Sequence, residues 1–137
     1  MTMTKDIAIE TAAKWWASKF CDPQHHRNAA NDPVNSLACL VASLGAEGVH
    51  TEQRDVFVRQ LEVGIRSALN KDDYLLRLGG DYHPDQLLSY AAGLAFIDEM
   101  NFPFHTRMEI RKRGADDFSV EVAEGFAKPY VALTPCD

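Results

Sequence analysis

Between residues 4 and 20, Ile9, Ala12, Ala13, Trp16, Ala17 and Phe20 recur at spacings of three and four, with Trp15 on the flank of their stripe. This periodicity predicts an amphipathic helix. A polar stretch from Cys21 to Asn31, holding Pro23, His25 and His26, reads as a connection. Asn31-Asp32-Pro33 then supplies a cap and a first-turn proline for a second helix with its stripe at Val34, Leu37, Ala38, Val41 and Leu44. Thr51 is placed to cap a third, in which Phe57, Val58, Leu61, Ile65, Ala68 and Leu69 repeat while Arg54, Asp55, Arg59 and Glu62 face out.

The pattern then changes. Tyr74 to Leu78 is a short apolar run closed by Gly79-Gly80, which reads as a strand, and Pro84 to Ile97 is rich in Leu and Ala, which reads as a fourth helix. From Phe104 the period is two: Phe104, Thr106, Met108 and Ile110 alternate with His105, Arg107, Glu109 and Arg111. A Gly114 to Asp117 turn and the alternating Phe118, Val120 and Val122 complete a hairpin, and Tyr130 to Leu133 reads as a third short strand or an extended tail. N-terminal helices followed by strand-helix-strand-strand define an α+β fold, a small antiparallel sheet packed on helices, in one domain spanning 1–137.

Composition narrows the function classes. Apolar residues make up 46% and charged residues 25%, the mix of a folded globular chain rather than a disordered one. A net charge of −6 opposes binding of free nucleic acid, whose affinity comes from cations on phosphate, yet suits contact with a basic protein surface. No window approaches the roughly 20 apolar residues of a membrane span, and the opening residues lack a signal peptide's order, so a cytoplasmic location is expected. Cys21, Cys39 and Cys136 form no CxxC pair, so neither a disulfide framework nor a zinc ribbon is indicated.

The densest chemistry is Asp81-Tyr82-His83-Pro84-Asp85, immediately before the fourth helix. Asp81, His83 and Asp85 alternate, which would put them on one side of an extended chain as metal ligands or an acid-base pair. The plainer account is helix capping, with His83 or Asp81 as the cap, Pro84 in the first turn and Asp85 near the free N–H groups. Capping leaves Tyr82 and His83 without a use. Cys21 with His25 and His26 offers two or three ligands where zinc takes about four, and no cysteine has a signature imidazole partner. Arg107 and Arg111 share a strand face and lead to Lys112-Arg113 at the hairpin tip, suited to an anionic group or to blocking edge pairing. There is no GxGxxG, GK[ST], HExxH or GxSxG motif, and no cofactor is indicated.

Trp15-Trp16 in the first helix, Asp81 to Asp85 opening an Ala-rich helix, Asn101-Phe102-Pro103 before a strand and Gly125-Phe126-Ala127-Lys128-Pro129 near the end together resemble a family of small proteins encoded by tailed phages and prophages. The similarity spans most of the chain. It departs at Gln24-His25-His26-Arg27, where relatives carry an acidic stretch, and at Ala127-Lys128, where they carry Gly-Ala. The resemblance implies a setting, the host cytoplasm, and no activity. Joined to the acidity and the missing motifs, it gives the expectation of a host-interaction protein. Its sharpest form inhibits a bacterial defence system, as anti-CRISPR proteins do, by occupying a nucleic-acid-binding effector. Tyr82, His83, Asp85, Trp15, Phe102, Arg107 and Arg111 are the contact candidates. An enzyme or ligand-binding protein with its pocket at the Asp81 to Asp85 helix start, and a phage assembly protein, are the alternatives.

Overall fold

The computed structural model describes residues 3–20, 49–70, 75–125 and 128–135. The helix expected over residues 34–44, the Cys21, His25 and His26 loop, and Cys39 and Cys136 lie outside the described residues. Among the described residues, three helices and a four-stranded antiparallel sheet form the α+β architecture that the periodicity predicts.

Helix α1 (Lys5–Ser18) starts at Thr4, whose hydroxyl accepts the Ile7 N–H at 3.4 Å. Its stripe is buried as spaced: Ile9, Ala12, Ala13, Trp16 and Ala17 face the core, continued by Phe20. Helix α2 (Thr51–Leu69) buries Phe57, Leu61, Ile65 and Leu69 at successive turns. Its N-cap is His50, one residue before the expected Thr51, and the Gln53 side chain accepts the His50 N–H at 2.9 Å. That reciprocal contact from the third helical position satisfies a backbone donor which a Thr51 cap would leave outside the helix.

Strands β1 (Leu75–Gly80), β2 (Thr106–Gly114), β3 (Asp117–Glu124) and β4 (Val131–Ala132) lie in the order β1-β2-β3-β4. Met108 pairs with Val122 and Leu78, and Ile110 with Val120 and Leu76, so the alternating apolar set of the hairpin turns to one face and joins the helices in one core. The N-terminus is zipped to this sheet by Met3, which exchanges two 2.8 Å backbone hydrogen bonds with Phe118.

The opposite face carries Arg77, Arg107, Glu109 and Arg111. Glu109, expected toward solvent, is only 9% exposed: Arg77 and Arg111 lie at 3.4 and 3.1 Å from its carboxylate, and Tyr130 lies close enough for its ionisation to feel the Glu109 charge. Buried charge persists where it is paired.

Helix α3 (Gln86–Leu94) is shorter than the Pro84 to Ile97 pattern, and a 3-10 turn (Glu99–Asn101) follows it. Among the described residues, no helix is long and apolar enough to cross a membrane.

Candidate functional site

The corner between β1 and α3 is built by two glycines and two aspartates. Gly79 has φ +106°, and a Cβ there would lie 2.1 Å from the Thr106 carbonyl oxygen; one at Gly80 would lie 2.3 Å from the His83 carbonyl. The chain can therefore fold back on itself at this point only without side chains.

Asp85 closes the corner from one side. One carboxylate oxygen accepts the Gly79 N–H at 3.1 Å and the other the Leu87 N–H at 3.3 Å, so a single side chain caps α3 and clips the end of β1. Asp85 rather than His83 or Asp81 is the N-cap, and Pro84 precedes the helix instead of occupying its first turn. Burial pushes the Asp85 carboxyl above the ordinary range, against the lowering effect of the backbone donors.

Asp81 closes it from the other. Its carbonyl accepts the His105 N–H at 2.7 Å, while Oδ1 lies 2.9 Å from the Arg107 guanidinium and 3.3 Å from His105 Nδ1. The bond from Arg107, then that from His105, hold this carboxyl below its ordinary range. His105 itself sits at φ +51°, and its carbonyl accepts the Gly125 N–H at 2.9 Å, tying the corner to the end of β3.

On this frame stands Tyr82. It is 68% exposed, yet its ring is braced edge-on by His105 with centroids 4.9 Å apart and by Phe104 at 6.0 Å. His83 is exposed and lines, with Trp16, Leu88, Phe102 and Pro103, a cavity of about 10 Å³. That volume approaches the space of one water.

Tyr82, His83, Asp85 and Arg107 thus gather at one corner, whereas Arg111 lies further along β2 on Glu109. Trp15 is half-buried on α1, its ring 5.0 Å from that of Trp16 and covered by the Lys19 ammonium at 4.8 Å. Phe102 is no surface anchor. It is 4% exposed and sits among Trp16, Phe20 and Phe57, because the Asn-Phe-Pro break turns its ring inward to meet three rings from α1, its end and α2. Asp81 and Asp85 spend their carboxylates on other partners, and no group of three His, Cys, Asp or Glu side chains fit for a metal occurs among the described residues.

Sequence reasoning missed the surface beyond this corner. Along α3 runs an open groove of about 570 Å³ lined by Pro84, Gln86, Ser89, Tyr90, Gly93 and Leu94. Tyr90, Leu94, Phe96 and Met100 are all exposed. The available signal was charge, since no Lys or Arg occurs from Leu78 to Thr106.

No family model, curated protein or solved structure matches this chain.

Proposed function

We propose that the chain is a host-interaction protein, of the phage-encoded kind that its motifs resemble, and that it acts by holding a protein partner. In its sharpest form it inhibits a bacterial defence effector by occupying a basic, nucleic-acid-binding groove. The observation that carries this reading is Tyr82: a large aromatic side chain exposed to solvent but fixed by His105 and Phe104 on a doubly latched corner. Binding hot spots are enriched in such tyrosines, since a rigid ring gives up little conformational freedom on contact. The small cavity beside His83 weighs in the same direction, because catalysis or ligand capture at this helix start needs a concavity that holds His83 with a charged partner.

The test is capture from a host lysate by the tagged protein, with mass spectrometry of what is retained, in wild type and two variants. Tyr82→Ala is expected to lose a specifically retained nucleic-acid-binding protein by about 30-fold in affinity, the scale of a hot-spot truncation. His83→Ala is expected to retain it. Recovery of a small molecule and no host protein would overturn the reading, and a stable symmetric oligomer with no host protein would favour an assembly role instead.

A further inference from the structure

Helix α3 ends on a residue that neither its backbone nor the core requires. The Phe96 N–H bonds to the Gly93 carbonyl at 3.2 Å and the Ile97 N–H reaches back to Ala92 at 2.9 Å, with Phe96 at φ +58°. These paired bonds form a Schellman ending, in which the left-handed position is usually glycine because a side chain there crowds the backbone. Phe96 is also 89% exposed. Glycine would relieve the backbone and a polar residue would relieve the exposure, so nothing among the described residues accounts for phenylalanine at this place.

The surroundings say what kind of thing. The Gln53 amide donates to the Phe96 carbonyl at 2.8 Å and to that of Ala95 at 3.4 Å, fixing the loop against α2. Tyr90 and Leu94, one turn apart on α3, and Met100 on the 3-10 turn are the other exposed apolar side chains of this stretch. The charges of the stretch are negative: Asp98 and Glu99 are exposed, Glu99 is hydrogen-bonded to Ser89, and Glu52 adjoins Gln53 at the start of α2. No Lys or Arg occurs from Leu78 to Thr106.

We infer that Phe96, with Tyr90, Leu94 and Met100, docks an amphipathic segment of a partner protein whose apolar side chains are flanked by lysine or arginine. The inference rests on the protein-binding reading and adds the partner's chemistry and a second anchor, across the 9 residues of α3 from the Tyr82 corner. A second copy of the chain is a poorer occupant, because a two-fold contact through this patch sets its acids against themselves. An anionic lipid surface meets the same repulsion.

The experiment titrates the ¹⁵N-labelled full chain with a 14-residue helical peptide of leucine and lysine, and with a twin carrying glutamate for lysine. The lysine peptide is expected to shift amides within residues 86–101 and to bind Phe96→Gly at least tenfold more weakly, while the glutamate twin does not bind. The same variant is expected to melt about 3 °C higher, which separates lost contact from lost fold; Phe96→Asn is expected to weaken binding equally. Shifts spread over other acidic surfaces, equal binding of the twin, unchanged affinity of Phe96→Gly, or a dimer of the free protein that this substitution dissolves would each overturn the inference. Host capture that survives Phe96→Gly but is lost in Tyr82→Ala would also overturn it, and would leave the protein-binding reading standing.

Discussion

Asp85 and Asp81 are four residues apart and respond to pH in opposite senses. For Asp81, the arginine and histidine contacts lower the folded-state value, so its contribution to stability is full above the ordinary carboxylate range and is lost as pH falls through the lowered value. In Asp81→Asn, thermal melts between pH 5 and pH 2.5 should show a shallower acid loss than wild type. For Asp85, burial raises the folded-state value, so the folded state holds the proton more tightly and stability declines as pH rises from the ordinary aspartate value through the raised one. Asparagine removes the buried charge but has a single acceptor oxygen, so it serves one of the Gly79 and Leu87 N–H groups and sets its NH2 against the other. Denaturant unfolding at neutral pH should therefore find Asp85→Asn between wild type and Asp85→Ala, the latter less stable by about 1–2 kcal/mol, the usual loss of a cap. Equal losses in both would mean that α3 needs the two acceptors of the carboxylate together, and that one cap bond alone does not hold it.

At the level of elements, what could be read in advance was what repeats. The stripe of α1, the third-and-fourth spacing of α2 and the alternation of β2 and β3 are periodic, and the large apolar side chains of each period are buried, while Glu109 and Ser119 are buried out of phase. Single events were not legible. Pro84 reads as a first-turn residue, but Asp85 gains a second donor from Gly79, whose approach depends on the β1 corner, and this moves the cap one residue past the proline. The end of α3 has no glycine to mark it, so the pattern runs on to Ile97 through a left-handed Phe96. Phe102 lies beside a proline in a break, where no period says which way a side chain turns. Nor can spacing show that Asp81 meets Arg107 across 26 positions. Strand β4 is the extreme case, two residues long and paired to Glu121 and Val122. Beside it Tyr130 meets the nearly buried Glu109, and burial first and the Glu109 charge second raise the tyrosine's ionisation above its ordinary range. Tyr130→Phe should speed amide exchange at Leu133, whose N–H bonds to the Val120 carbonyl at 2.8 Å, about fivefold, while the Met108 and Val122 amides stay protected. Unchanged exchange at Leu133 would show that β4 is held by backbone pairing alone.

For the whole molecule, the net charge of −6 is unevenly expressed. On the outer sheet face Arg77, Arg107, Arg111 and Arg113 pair with Glu109, Asp81 and Glu121, so that face nearly balances itself. Asp81 apart, the acids between Leu78 and Thr106 have no Lys or Arg partner among the described residues, so a basic partner of the proposed kind would be steered toward them. Steering acts on the encounter, whereas the aromatic anchors act once contact is made, so the two should separate in the kinetics. With the partner captured from lysate, raising the ionic strength from 0.01 to 0.15 M shortens the screening length from about 30 to about 8 Å and should slow association by about tenfold, leaving dissociation nearly unchanged. Tyr82→Ala should do the reverse, speeding dissociation with little change in the association rate. Asp98→Lys with Glu99→Lys, both exposed, should slow association at low salt and flatten its salt dependence. An association rate indifferent to salt would remove charge from the recognition and leave the apolar contacts to account for partner choice by themselves.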